Sequence, residues 1–268
     1  MTPELAFLDG PHGALFAVRH STVVPRRRLL LLPPFGEELN KCRALLTRTA
    51  AALVADGVET LLVDLHGTGD SAGEFGAASW TSWLDELEFA LDALGNEVPI
   101  GLFAVRSGAL FVPELLARRP GRVDRALFWQ PVSSGDQFLK QLLRLRVMAS
   151  KFAGVEESVA GLQQELARGT AVEIAGYEIA PALAAAMSAV KLAAPALQGL
   201  ARVDIVEFMS GADPTLPVRQ LVAAVGAAGG EAHAEVVDCE QFWASQELAQ
   251  PAAAIASAVR LCAASMAA

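Results

Sequence analysis

The residues with the clearest chemical potential lie between Ala104 and Gly108. Catalytic serines often occupy the pattern glycine-x-serine-x-glycine, in which small residues flank a nucleophile on a sharp turn between a strand and a helix. Here Ala104 and Gly108 take the small positions, Arg106 lies between them and Ser107 follows. This register puts an arginine at the nucleophile position. A register shifted by one residue makes Ser107 the nucleophile, but the β-branched Val105 must then replace the first small residue.

A serine hydrolase also needs an acid and a histidine base, which in one common chain order follow the nucleophile in that sequence. Asp213 fits the acid position, because it follows a predicted strand that ends at Met209. The base is expected after the last strand, where residues 238–242 include Glu240 but no histidine. The chain has four histidines, all elsewhere: His12, His20, His66 and His233. Ordinary Ser-His-Asp hydrolysis is therefore not expected.

Two other roles for this group stay open. The guanidinium of Arg106, at a helix N-terminus, could bind an anionic ligand such as an acyl phosphate or a sugar phosphate. It could instead pair internally with one of the acidic residues that map to the same end of the sheet: Glu37, Glu38, Asp213 and Glu240. These carboxylates could also supply a general acid and base. Glu37 and Glu38 fit more plainly as a solvated first turn of a helix that begins near Asn40.

The pattern along the chain predicts an α/β fold. Short apolar runs alternate with segments of helical spacing, which is typical of a mostly parallel sheet with helices on both faces. An antiparallel hairpin is predicted at residues 6–8 and 14–18. After a sixth strand at residues 125–129 the alternation stops, and residues 133–198 show helical patterns with at most one hairpin around Gly176. We therefore expect one domain, with a core of residues 1–132 and 199–268 and a helical cap insertion at 133–198.

Composition excludes several function classes. The net charge of −9 argues against a nucleic-acid partner, because binding to phosphates needs clustered cations. No apolar run approaches the roughly 20 residues that span a bilayer, and no signal peptide is visible, so we expect a cytoplasmic protein. The three cysteines lack metal-ligand spacing, and we expect free thiols, no metal site and no cofactor.

Six motifs occur in a fixed order: PPFGEELNK at 33–41, DLHGTGDSAG at 64–73, RSGA at 106–109, WQPV at 129–132, AGYE at 175–178 and FWASQE at 242–247. Together they resemble the α/β-hydrolase superfamily, and most closely the exosortase A system-associated hydrolases of the second type, found beside bacterial exopolysaccharide and PEP-CTERM sorting genes. The resemblance implies an α/β-hydrolase fold and a hydrolase acting on an acyl- or glycan-derived small molecule by an atypical site. The competing interpretation is a pseudoenzyme that binds an anionic ligand or a protein partner without turnover.

The resemblance places the site at the ends of the parallel strands. The candidate catalytic residues are Arg106, Ser107, Asp213 and Glu240. The expected pocket-lining residues are Phe35, Glu37, Glu38, His66, Gln130, Phe242 and Trp243. A small-molecule ligand, anionic or acyl, is the expected partner, and a homodimer stays open.

The predicted cap has a signal of its own. In residues 137–152, a basic stripe of Lys140, Arg144 and Lys151 lies on a broadly apolar helix. Such a helix could contact a membrane surface or cover an acyl chain. The commoner arrangement is a cap helix that packs on the domain with its basic stems directed outward.

Overall fold

The computed structural model describes residues 2–245, 247 and 249–264, so Gln246 of the last motif lies outside the described residues. The strands are β1 (Glu4–Gly10), β2 (Gly13–His20), β3 (Arg27–Leu32), β4 (Val58–Val63), β5 (Ile100–Val105), β6 (Arg125–Trp129), β7 (Val172–Ile174), β8 (Tyr177–Ile179), β9 (Arg202–Phe208) and β10 (Glu231–Val237). The helices are α1 (Glu37–Leu53), α2 (Trp80–Ala93), α3 (Val112–Arg118), α4 (Gly135–Phe152), α5 (Val159–Ala167), α6 (Pro181–Ala189), α7 (Leu216–Ala227) and α8 (Ala252–Ala264).

Eight of the strands form one sheet in the order β1-β2-β4-β3-β5-β6-β9-β10. β1 pairs antiparallel with β2, and β2 pairs antiparallel with β4. The remaining neighbours pair in parallel. This arrangement confirms the predicted fold class, a mostly parallel central sheet with an antiparallel N-terminal hairpin. It also brings the carboxyl ends of β3, β5, β6, β9 and β10 to one edge, where the candidate residues lie.

Two apolar cores cover the two faces of the sheet. In β3, Leu30 and Leu32 face one core, whereas Leu29 and Leu31 face the other, as the two-residue period of a strand requires. The first core contains α2 to α7, and the second contains α1 and α8. β4 and β5 are buried along their whole length, which explains the continuous apolar sequence of β5, whereas β4 also buries the polar Glu59 and Thr60.

The segment between β6 and β9 contains α4, α5, the β7–β8 hairpin and α6. The hairpin pairs Ile174 with Tyr177, around the glycine that the sequence indicated. These helices share the first apolar core with α2 and α3. The division into a core and a cap at residues 133–198 stays a prediction. In the described part of the chain, no helix is long and apolar enough to cross a bilayer.

Candidate functional site

The turn after β5 has the geometry of a nucleophile elbow. The backbone bends at Arg106, whose φ is 52°, and a 3₁₀ turn at Arg106–Phe111 leads into α3. A positive φ is unusual for a residue other than glycine and is associated with strain at functional sites. A Cβ on Gly108 would lie 2.0 Å from the carbonyl oxygen of Leu32, so the second small residue is required by packing. The structure therefore places Arg106 where the motif has its nucleophile.

Arg106 is held by three neighbours. Its Nε and Nη2 donate to Oε2 and Oε1 of Glu38 at 3.2 and 3.0 Å, and its Nη1 donates to the carbonyl oxygen of Gln130 at 3.3 Å. Its Cζ lies 4.8 Å from the centroid of the Trp243 ring, within the range of a cation–π contact. The two charged side chains are only 13% and 19% exposed. Of the two roles considered for the arginine, this geometry favours the internal ion pair, because Glu38 occupies the forked edge that would bind an anion.

The start of α1 explains how Glu38 reaches the arginine. The helix begins at Glu37, directly after Gly36 with a φ of 67°, and not near Asn40 as the sequence predicted. Acidic residues in a first helical turn interact favourably with the helix dipole. The expectation that both acids are simply solvated is wrong for Glu38, which pairs with Arg106. The side-chain amide of Asn40 donates to the carboxylate of Glu37 at 3.4 Å, and Glu37 remains at the rim of the site.

Ser107 is buried and serves the backbone. Its Oγ accepts a hydrogen bond from the amide of Phe35 at 3.2 Å, and its side chain has no exposed surface. In an elbow of this type, one donor of the oxyanion hole is an amide from the loop between β3 and α1, where Phe35 lies. That amide is bonded to a hydroxyl of the protein itself. Ser107 therefore holds the loop in place and is not presented as a nucleophile.

The loop after β9 carries Asp213, the predicted acid. Asp213 is exposed, and its side chain makes no hydrogen bond or ion pair among the described residues. The buried acid at this end of β9 is Glu207, which the sequence analysis did not single out. Its carboxylate accepts from the amide and the hydroxyl of Thr215 at 2.6 and 2.8 Å. Glu207 thus anchors the residue that precedes α7.

The loop after β10 contains no histidine and carries Glu240. Glu240 is exposed, and within the described chain its carboxylate contacts no partner. Burial, with the nearby Glu240 and Asp238, raises the pKa of Cys239 to about 11, so this thiol stays protonated near neutral pH. The four carboxylates that the sequence mapped to one end of the sheet are therefore not brought together as an acid–base pair. Of these four acids, only Glu38 contacts Arg106.

His66 does not belong to the site, which corrects its predicted place in the pocket. Its amide donates to Glu86 at 2.8 Å, its carbonyl accepts from Trp83 at 2.9 Å, and a Cβ on Gly73 would collide with its ring. Burial raises the pKa of Glu86. The contacts of His66 thus hold it in the turn after β4.

The other histidines are also remote. His12 pairs with Asp85 at 3.1 Å, and His20 ends β2. His233 lies inside β10. All four histidines lie in the described part of the chain, and none lines the pocket beside Arg106.

A pocket of about 270 Å³ opens beside the Arg106–Glu38 pair, and we call it the elbow pocket. It is lined by Phe35, Glu37, Glu38, Lys41, Phe138, Gln141, Leu142, Leu145, Trp243 and Ala244. Four of the predicted lining residues are present: Phe35, Glu37, Glu38 and Trp243. The wall from α4 was missed, although the spacing of Phe138, Leu142 and Leu145 is that of one helical face and could have indicated it.

Two further lining predictions are wrong. Phe242 has no exposed surface, because it packs behind Trp243 against Trp129 and Phe208, with ring centroids 5.7 and 5.1 Å away. Gln130 has a φ of 41°, and its side-chain oxygen accepts from the amide of Phe208 at 2.7 Å. It joins β6 to β9 and supports Arg106 through its carbonyl oxygen, outside the pocket.

Solved structures of other proteins show the same architecture. Est1E from Butyrivibrio proteoclasticus, with ferulic acid bound, covers 98% of this chain and 100% of its own, at a TM-score of 0.68 and 13% identity. A soluble variant of monoglyceride lipase from Saccharomyces cerevisiae, with a substrate analog, covers 100% of this chain and 95% of its own, at a TM-score of 0.63 and 12% identity. Alpha/beta hydrolase domain-containing protein 10 from mouse covers 98% of this chain and 97% of its own, at a TM-score of 0.59 and 13% identity. The chain has the α/β-hydrolase fold.

At this level of identity, similarity to α/β-hydrolase structures establishes the fold alone. No family model matches the chain, and no curated protein matches it. The resemblance to the exosortase-associated group is therefore carried by the six sequence motifs.

Proposed function

We propose that this α/β-hydrolase-fold protein binds an acyl-derived small molecule in the elbow pocket and does not hydrolyse it by a serine triad. The observation that carries the proposal is the forked contact of Arg106 with Glu38 at the nucleophile position. An ion-paired guanidinium is no nucleophile, and a serine without a neighbouring base is a weak one. The buried Ser107 and the exposed Asp213 point the same way.

The wall of the elbow pocket suits an acyl chain. Phe35, Phe138, Leu142 and Trp243 supply apolar surface, which favours a hydrocarbon chain over a glycan. Lys41 lies at the same pocket, and within the described residues its amine has no ion-pair partner. It would attract the carboxylate or phosphate head of such a ligand. The ferulic acid and substrate analog held by the two microbial enzymes above support an acyl or ester ligand here.

Calorimetry with decanoate tests the binding. We expect saturable binding that weakens at least about tenfold in Leu142→Glu, because a carboxylate in the apolar wall opposes the chain. Leu216→Glu is the matched control, since Leu216 is 58% exposed on α7 and outside the pocket. Lys41→Gln should weaken decanoate binding and leave decanol binding unchanged. Equal decanoate binding by the wild type and Leu142→Glu would reject this pocket.

The turnover part of the proposal is tested with p-nitrophenyl decanoate. We expect hydrolysis no faster than in buffer, and no difference between the wild type and Ser107→Ala. Hydrolysis that disappears in Ser107→Ala would restore a serine mechanism. The alternative, an esterase that uses carboxylates, would show turnover that Glu240→Gln abolishes.

A second candidate function is contact with an anionic membrane through α4. Leu145, Met148 and Phe152 are 53%, 59% and 92% exposed on one side of this helix. Arg144 and Lys151 lie beside them, exposed and without an ion pair in the described chain, which suits anionic lipid. Lys140 does not join them, because it pairs with Asp136 at 2.8 Å.

We expect the protein to sediment with phosphatidylglycerol vesicles at low salt, and Phe152→Asp to remain in the supernatant. Sedimentation with neither phosphatidylglycerol nor phosphatidylcholine vesicles would end this candidate.

The cellular context is also a proposal. The six motifs support the exosortase-associated gene context. Cys42 and Cys239 form no disulfide within the described residues, which supports a reducing, cytoplasmic location.

A further inference from the structure

A second pocket, of about 170 Å³, lies between the β1–β2 hairpin, β4 and α1, and we call it the hairpin pocket. It shares no lining residue with the elbow pocket. Its apolar wall includes Leu5, Phe16 and Val18 from the hairpin and Leu46 and Ala50 from α1. Leu5 is 62% exposed, so this side of the hairpin is not covered by a helix along its full length.

Two buried polar groups line this pocket without partners. His20 and Thr60 are paired residues on β2 and β4 and are 4% and 1% exposed. His20 Nε2 and Thr60 Oγ1 have no surface exposed to solvent and no hydrogen-bond partner among the described residues. Buried polar groups of this kind are normally hydrogen-bonded. Burial lowers the pKa of His20, which favours a neutral ring with one donor and one acceptor nitrogen.

Charged groups also line the pocket, and they disfavour an anion. Arg43 donates to the buried carboxylate of Asp64 at 2.7 Å. Asp70 lines the same pocket, and its amide donates to the second oxygen of Asp64 at 3.0 Å. Arg43 is therefore already neutralised by Asp64, and the pocket has no excess positive charge that would hold an anion. A neutral ligand suits this balance better than a carboxylate or a phosphate.

We propose that the hairpin pocket binds a small neutral alcohol or phenol, with its hydrocarbon part against the apolar wall and its hydroxyl group on His20 and Thr60. A hydroxyl both donates and accepts, so it can satisfy Nε2 and Oγ1 in either tautomer of the ring. Because neither atom is exposed to solvent, the side chains of His20 and Thr60 must rotate toward the pocket when the ligand binds. The size fits, because an apolar cavity of about 150 Å³ in another protein holds benzene.

The probe is p-cresol, with toluene as the ligand that lacks the hydroxyl, and binding is followed by ligand-observed NMR and calorimetry. We expect saturable p-cresol binding that is about tenfold tighter than toluene binding, as for one added hydrogen-bonded group. Thr60→Val keeps the volume and removes the hydroxyl, so it should weaken p-cresol and leave toluene unchanged. Val18→Phe, at a half-buried position, should fill the pocket and abolish binding of both.

Leu142→Glu is the control from the elbow pocket and should bind p-cresol like the wild type. This separates failure of the present proposal from failure of the proposed function. Absence of saturable p-cresol binding would overturn the proposal, as would p-cresol binding that survives Val18→Phe unchanged. Equal affinity for p-cresol and toluene in both the wild type and Thr60→Val would overturn the assignment of His20 and Thr60.

Discussion

The turn at Arg106 and the loops after β9 and β10 occupy the three positions of a catalytic triad in this fold, and they differ in how their side chains are held. Arg106 contacts Glu38, Gln130 and Trp243. Asp213 and Glu240 are exposed, and their carboxylates contact nothing in the described chain. The side chain at the turn is thus fixed by several contacts, whereas Asp213 and Glu240 project into solvent from their loops.

This difference shows which part of an elbow is required by packing. Gly108 lies against the backbone of β3, and Ser107 bonds to the loop that follows the same strand. Both contacts are needed whether or not a nucleophile is present. The acid and base positions carry no such contact, so their chemistry can be lost at little cost to the fold.

The largest effect is expected for Gly108→Ala. A Cβ 2.0 Å from a backbone oxygen must displace β3 or α3, and we expect a loss of more than about 3 kcal/mol in the free energy of unfolding, measured by urea denaturation. Gly226→Ala, on α7 with open space around it, should be neutral or stabilising by up to about 1 kcal/mol. Equal stability of the two variants would remove the packing argument for the turn.

The ion pair comes next. Glu38→Gln leaves the charge of Arg106 without its partner, and we expect unfolding to become easier by about 3 kcal/mol in the same assay. In Arg106→Met/Glu38→Leu no unpaired charge remains, so the double variant should recover most of that loss. A double variant as unstable as Glu38→Gln would show that the pair does not account for the effect.

Ser107→Ala should have a smaller effect. It removes the acceptor for the buried amide of Phe35, and an unsatisfied buried donor costs about 1–3 kcal/mol. Ser133→Ala, at an exposed position, should stay within about 0.5 kcal/mol of the wild type. A Ser107→Ala protein as stable as the wild type would contradict the structural role of this hydroxyl.

The smallest effects belong to the loops. Asp213→Asn and Glu240→Gln should each change stability by less than about 0.5 kcal/mol, because both side chains are exposed and without partners. Decanoate binding should also be unchanged. A large loss of stability or binding in either variant would contradict the view that these two carboxylates have no partners.

Much of the fold follows from local patterns that the sequence displays. β6 has the predicted bounds, and the spacing of Ala104 and Gly108 was enough to place Arg106 at the turn. The partner of the arginine could not be chosen in advance, because four acids map to the same edge. The choice depends on α1 beginning at Glu37, three residues earlier than its predicted start near Asn40.

The lining of the elbow pocket could likewise be predicted only in part. Phe242 and Trp243 are adjacent and both aromatic, yet one is buried behind the other. Which of them faces the pocket depends on the path of the loop after β10, and no periodic pattern encodes that path. The apolar residues of α4, by contrast, recur at helical spacing, and this pattern could have predicted that they form the opposite wall.

The most direct test of the central claim is labelling with a fluorophosphonate probe, followed by intact mass measurement and peptide mapping. If Arg106 and Glu38 have replaced the catalytic turn and Ser107 is buried against Phe35, the protein remains unlabelled after hours in excess probe. A stoichiometric adduct that maps to Ser107 would contradict the account.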